Sequence, residues 1–377
     1  MAKKRAHTRL PKAPSEIVTK GVLDIDEAAE VIPFNYSITA YGSDPPVDGL
    51  IKRLREDEIL IPLFSLNRRD ADVRFQREFV WKKQQADRFV ESLLLGLPVP
   101  GIFLMKEESG RHLVLDGHQR LQTLRRFCDN DWDGEPFELE HVQTRFRGRT
   151  YEDLDPADKR RLDNSIIHAT IIRQDEPSPD LSSIYLIFER LNSGGTALQP
   201  QEIRVALYHG PFVELLTSLN EFKPWRTLFG RKSNRLKDQE LILRFFALLE
   251  SGRRYSRPMK GFLSSYMARR RNMSPALQKT FRTLFEATCS SILDAIGKKA
   301  FKPRAAVNAA LVDALMVGVA KRIEGKGVIK DTRGLRAAYR KLLAEESFQG
   351  AIARATADEE SVKLRLRHAA AAFSRVR

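Results

Sequence analysis

Beyond about residue 200 the chain stops looking mixed. "KDQELILRFFALLE", "LQKTFRTLFEATCSSIL", "AAVNAALVDALMVGVAKRI" and "VKLRLRHAAAAFSRV" all repeat apolar residues at helical spacing, with almost no strand signal between them. Earlier segments behave differently. "IFLM" (102–105) and "HLVL" (112–115) read as two strands joined by the polar turn "KEESGR", and "SIIHATII" (165–172) is a β-branched run. "EILIPLFSL" (58–66) has strand composition as well. Helices stand among them: "KKQQADRFVESLLLGL" (82–97) puts Phe89, Val90, Leu93, Leu94 and Leu97 on one face, and "LSSIYLIFERL" (181–191) does the same with Ile184, Phe188 and Leu191. "PQEIRVALYH" opens with Pro at a first helical turn. The expectation is an α+β domain, a small mixed sheet with helices, followed by an all-α helical domain. The break falls near 195–215, giving a basic arm and irregular lead-in over 1–50, an α+β domain over 51–210 and a helical domain over 211–377.

Charge divides along the same line. Residues 1–20 carry six Lys/Arg and one acid; residues 21–210 carry 24 and 33, a net of −9; residues 211–377 carry 34 and 15, a net of +19. The strongly basic helical region points to a polyanion, with DNA the expected partner. A solvated Arg-rich helical surface is the plainer reading of the same residues. With 377 residues, 42% of them hydrophobic, the chain has material for a sizeable core.

Several classes are excluded. Cys128 and Cys289 are far apart and lack a CxxC partner, which argues against a disulfide scaffold or zinc site and suits a reducing cytosol. The basic N-terminus is followed by no apolar signal core. "SLLLGLPVPGIFLM" is broken by Gly and Pro, and "AALVDALMVGVA" is short and contains Asp313, so no membrane span is expected. GxxxxGK[ST], HExxH and GxSxG are absent, and the seven His are scattered without a His-Asn-His pattern.

Three polar clusters carry the functional expectations. "LDGHQRLQTL" places Asp116, Gly117, His118, Gln119 and Arg120 between a strand and a helix expected from about Leu121 to Cys128. A helix start favours anions, Gly117 allows close backbone approach, and Arg120 can grip a phosphate. Asp116 would repel phosphate directly and suits magnesium, a ribose hydroxyl or an N-cap. On the residues alone, a helix cap with a surface Arg120 explains the turn equally well. "RFQREFVW" (74–81) sets Gln76, Arg77 and Trp81 before the first strong helix, where Arg beside aromatics suits phosphate or base stacking, or else simply leads into the helix. "FERLNSGGTALQPQEI" (188–203) holds Asn192 and Gly194 in a polar turn.

In this order "FQREFVW", "VESLLLGLPVPGIFL", "LVLDGHQRLQTL" and "IFERLNSGGTALQPQEIRVALY" resemble the N-terminal domain family of the GmrSD restriction endonucleases, and "RLKDQELILRFFALLE" and "MKGFLSSYM" resemble the helical part that follows it in many members. That family is similar in fold to the ParB/sulfiredoxin superfamily, whose equivalent turn binds nucleotide phosphates. The resemblance implies a bacterial, cytoplasmic protein of antiphage restriction that binds and hydrolyses a nucleoside triphosphate with Mg2+. It implies nucleotide contacts from Gln76, Arg77, Trp81, Gly117, Arg120, Asn192 and Gly194. Chemistry would fall to Asp116, His118, Gln119 and Arg120, with Asp116 as the metal ligand. His118 stands where Gln or Lys is commoner. Sulfiredoxin-type reduction needs a Cys inside the turn, and none is there. Larger members carry a His-Asn-His nuclease domain or pair with a protein that has one; this chain shows no such pattern, so a stand-alone member with a nuclease or other defence partner is expected. Two other functions stay open: a Mg2+-dependent DNA endonuclease built on Asp116, and a non-enzymatic nucleotide- or DNA-binding switch. Homo-oligomerisation is open too.

Overall fold

The structure, a computed structural model, describes residues 38–62, 79, 81–175, 181–191, 198–303 and 305–377. The chain order begins β1 (Ile38–Ser43), α1 (Val47–Arg55), β2 (Ile59–Leu60), α2 (Lys83–Leu94), β3 (Ile102–Lys106), β4 (His112–Asp116), α3 (His118–Cys128), α4 (Pro156–Asp163) and β5 (Ala169–Gln174). It continues through helices alone, apart from one short 3-10 turn. These are α5 (Ser182–Leu191), α6 (Pro200–Leu207), α7 (Pro211–Asn220), α8 (Lys223–Phe229), α9 (Lys237–Ser251), α10 (Met259–Arg270), α11 (Pro275–Ile296), α12 (Ala309–Lys326), α13 (Thr332–Ala344), α14 (Glu346–Ala353) and α15 (Glu359–Phe373). A mixed sheet followed by a helical region is the fold expected from the pattern of the sequence.

The sheet has five strands in the order β1-β5-β3-β4-β2. β1 runs antiparallel to β5, β5 parallel to β3, β3 antiparallel to β4, and β4 parallel to β2. Alternation along β4 sends Val114 to one face and Leu113 and Leu115 to the other, and each face has its own apolar cluster. On the Val114 side lie Leu50 and Leu54 of α1, Phe89, Val90 and Leu93 of α2, and Leu121, Leu124 and Phe127 of α3. On the other side Met105, Leu113, Leu115 and Ile172 join Ile184 and Phe188 of α5, then Ile203 and Leu207 of α6, and the cluster continues without a break into α7–α15. The sheet is therefore the middle layer, and the helical region packs on its second face.

Two expectations need correcting. Residues 38–50 are not irregular lead-in: β1 closes one edge of the sheet with the register Ile38↔Gln174 to Ser43↔Ala169, and α1 buries Val47, Leu50, Ile51 and Leu54. The helix after the DGHQR turn also begins at His118, three residues before Leu121. Of the "EILIPLFSL" run, Ile59 and Leu60 form β2, and residues 63–66 lie outside the described part.

α12 is the axis of the helical region. It is buried nearly all round, as a helix enclosed by others must be. Gly318 lets it press against α15, since a Cβ there would lie 2.9 Å from both the Ala369 Cβ and the Phe373 ring. The charge inside this apolar helix is matched: Asp313 accepts from Arg244 of α9 at 2.8 and 3.1 Å and from Arg365 of α15 at 2.8 Å. One carboxylate thus ties three helices, at the desolvation cost that any buried ion cluster carries. Burial and the Arg244 charge hold the Arg365 guanidinium below its ordinary range, against the opposing pull of Asp313. Among the described residues no helix is long and apolar enough to cross a membrane.

Candidate functional site

Strand β4 ends at Asp116, level with Phe103 of β3. Gly117 follows with φ 94° and ψ 9°, a left-handed conformation that is strained for residues with a Cβ. A second constraint acts on the same atom. A Cβ on Gly117 would stand 2.4 Å from Ile102 Cγ2 on β3 and 3.3 Å from an Arg120 Nη atom. Only glycine lets the chain turn this tightly against β3. Gly117 is also the N-cap of α3, and no side chain caps that helix. Asp116 is therefore not the cap that the sequence allowed.

Instead, Asp116 Oδ2 accepts from Arg120 Nη2 at 2.7 Å, four residues on. The guanidinium is mostly buried, its side chain 12% exposed, while the Asp116 side chain is 35% exposed. Arg120 is thus no free surface residue. It lies over the start of α3, where the helix dipole adds partial positive charge. Gln119 faces another segment: its Oε1 accepts from the Trp81 backbone N–H at 3.2 Å. Thr123 donates from Oγ1 to the Gln119 carbonyl at 2.8 Å and stiffens this first turn. The end of the "RFQREFVW" segment is anchored nearby. The Trp81 ring meets Phe89 edge-on at 5.5 Å, Phe79 meets Trp132 edge-on at 5.2 Å, and the Arg126 guanidinium lies 4.3 Å above the Phe79 ring.

The structure therefore gathers Trp81, Asp116, Gly117, His118, Gln119 and Arg120 around one strand-to-helix turn. In this arrangement Trp81 contributes a backbone donor, with its ring engaged by Phe89. Gln76, Arg77, Asn192 and Gly194 lie outside the described residues. Two contributors were not foreseen from sequence: Ile102, which forces glycine at 117, and Thr123. Their role is tertiary or hidden inside the helix, and no local pattern marks it.

Other titratable groups are dispersed. His141 pairs with Asp87, His168 with Asp44 and His368 with Glu345, each with Nδ1 within 3.0 Å of a carboxylate oxygen. Among the described residues no three His, Cys, Asp or Glu side chains come together as a metal cluster. Cys128 closes the far end of α3, about 16 Å from Gly117 at 1.5 Å per residue. Burial, helped by the nearby Asp163 charge, pushes its thiol up to about 12. A thiol held protonated is a poor nucleophile, so redox chemistry at this turn has no support from Cys128.

No protein of curated function matches the chain. A family model does match, over residues 60–209: the GmrSD restriction endonuclease, N-terminal domain. The matched stretch runs from the end of β2 to just past α6, so it contains the DGHQR turn and leaves out β1, α1 and the helical region from α7 onward. Residues 60–209 of this chain are a domain of the GmrSD restriction endonuclease N-terminal family.

Proposed function

We propose that this chain is a restriction-type defence protein whose α+β domain binds and hydrolyses a nucleoside triphosphate at the DGHQR turn, while residues 211–377 engage DNA or a nuclease partner. The observation that carries the reading is the Asp116–Arg120 pair, mostly buried on its arginine side, at the start of a helix that a left-handed glycine sets against the sheet. A guanidinium held by one partly exposed carboxylate is ready to exchange that partner for a phosphate, which it can grip at two oxygens. The exchange frees Asp116 to orient a water or a cation beside the phosphates.

Magnesium fits such a site on one condition. The turn offers the single carboxylate of Asp116, and magnesium bound with a nucleotide commonly takes only one or two protein carboxylates, the remaining ligands being phosphate oxygens and water. Asp116 would hold it, and the ion would supply charge neutralisation at the phosphates. Arg120 stabilises the charge that builds on the transferring phosphoryl group, which is the larger part of catalysis in such reactions. Gln119, whose Oε1 accepts from the Trp81 backbone, acts as a positioning residue in this scheme, and His118, beside it in the first turn of α3, would help to orient water. Gln76, Arg77, Asn192 and Gly194, which lie outside the described residues, would add nucleotide contacts.

The test is phosphate release from each common nucleoside triphosphate by purified protein and by Arg120→Ala. Loss of about a hundredfold or more in turnover is expected, the scale seen when one charge-stabilising donor is removed. Unchanged turnover in the variant overturns the assignment.

A further inference from the structure

A cavity of about 390 Å³ lies between the end of α11 and the flank of α13, lined by Ile296, Lys299, Arg336, Tyr339 and Arg340. Three of its five lining residues are cationic, and none of the three takes part in a salt bridge among the described residues. Elsewhere in the helical region arginines are often neutralised: Arg226 by Asp238, Arg270 by Glu250, Arg257 by Asp358. A group of uncompensated cations around one hollow is therefore a local feature.

The hollow is built rather than incidental. Arg336, a lining residue, donates from Nε to the Ala295 carbonyl near the end of α11. Tyr339 is buried and donates from its hydroxyl to the Ala300 carbonyl at 2.9 Å. These two bonds, both made by lining residues, tie the end of α11 and the loop after it to α13. The surrounding chain adds charge of the same sign. Residues 297–308 contain Lys298, Lys299, Lys302 and Arg304 and no acid; α13 contains Arg333, Arg336, Arg340 and Lys341 and no acid. Arg333, Arg336 and Arg340 stand at i, i+3 and i+7, along one flank of the helix.

From this we infer that the α11–α13 cleft is where the helical region holds the phosphodiester backbone of DNA. The inference deepens the reading that residues 211–377 engage DNA and rests on it. A backbone is favoured over a single nucleotide because the cationic flank runs about 10 Å along α13, from Arg333 to Arg340 at 1.5 Å per residue, longer than one phosphate requires. Guanidinium and ammonium groups contact phosphates without reading bases, so binding here is independent of sequence.

The experiment measures binding of a fluorescently labelled duplex of arbitrary sequence to the full chain over a series of salt concentrations. Three proteins are compared: wild type, a triple variant Lys299→Ala, Arg336→Ala and Arg340→Ala, and a control that removes as much charge from other exposed positions, Arg254→Ala, Arg269→Ala and Arg367→Ala. A fourth, Lys299→Glu with Arg340→Glu, keeps both cleft-bridging bonds and so retains the fold of the cleft. Each released contact lowers the slope of log affinity against log salt by about 0.9, so the triple variant loses about 2.7 of slope and about tenfold or more in affinity near 0.1 M salt. The double Glu variant loses at least as much affinity, and the control keeps most of it. Wild-type binding that the triple and double Glu variants retain, or that the control loses equally, overturns the cleft while leaving DNA binding by the region intact. No wild-type binding at low salt overturns both. A free triphosphate that binds wild type, but not the triple variant, with duplex binding unchanged, assigns the cleft to mononucleotides and also overturns the inference.

Discussion

Arg120 donates to Asp116 at 2.7 Å across the first turn of α3, closing a neutral pair over the one glycine that shapes the turn. The pair determines what each partner can do alone. Asp116 is held away from the helix start as a cap, and Arg120 is oriented by a carboxylate that a phosphate would have to displace.

Replacing Asp116 by Asn therefore separates binding from turnover. The amide keeps the size of the side chain and can still accept from Arg120, but the negative charge that opposes phosphate is gone. In the absence of magnesium, nucleoside triphosphate affinity is expected to rise, because the like-charge repulsion between Asp116 and the phosphates is removed. Turnover is expected to fall at least a hundredfold, since the group that orients water or cation is lost. Calorimetry beside phosphate release reads both. Weaker binding with turnover retained would place the phosphates away from this turn.

Gly117→Ala tests the turn itself. A left-handed conformation costs a non-glycine residue about 1–2 kcal/mol, and a Cβ 2.4 Å from Ile102 Cγ2 forces further movement of about 1–3 kcal/mol. The sum is a loss of about 2–5 kcal/mol in urea unfolding. In an Ile102→Ala background the 2.4 Å contact is gone, while the residue 102 Cβ at 3.0 Å and Arg120 at 3.3 Å remain, so the same substitution costs less, approaching the backbone part of about 1–2 kcal/mol. Equal costs in both backgrounds would show that the contact with β3 plays no part.

How much of this was legible in the sequence depends on what each element is made of. β3 and β4 are readable as apolar runs joined by a polar turn, β5 as a β-branched run, α2 and α5 because their apolar residues recur at helical spacing, and α6 by the Pro at its first turn. α3 was placed three residues late because His118, Gln119 and Arg120 carry no apolar signal; its true start depends on Gly117, a conformational cue that reads equally as a loop. β1 was missed because it is an edge strand: Thr39, Ala40, Tyr41 and Gly42 are exposed, and only pairing with β5 makes it a strand. α1 did carry a signal, Val47, Leu50, Ile51 and Leu54, obscured by the adjacent Pro45, Pro46 and Gly49. At the candidate site, the i, i+4 spacing of Asp116 and Arg120 was visible. The contact of Gly117 with Ile102, from a strand fifteen residues earlier, was not, because only the β3–β4 pairing brings the two together.

The last prediction concerns pH and the other end of β4. His112 is nearly buried, and Arg53 of α1 donates to its Nδ1 at 2.9 Å. A ring nitrogen that accepts from a guanidinium must be unprotonated. Burial first, then the charges of Arg53 and Lys106, hold the imidazole below its ordinary range. His209 is lowered as well, again chiefly by burial. The sign follows from linkage. Above the unfolded value, near 6.5, both states leave the ring neutral and the full stability is present. As pH falls below that value, the unfolded chain takes up a proton that the native ring refuses, and stability declines until the folded value is passed. His112→Gln keeps an acceptor for Arg53 and removes the titration. Urea unfolding at pH 7.5, 6.5, 5.5 and 5.0 is expected to show wild type losing more stability on acidification than the variant, by at most about 1.4 kcal/mol per pH unit. Parallel pH profiles for the two proteins would show that His112 titrates in the native state as it does in the unfolded chain, and that the Arg53 contact does not suppress its protonation.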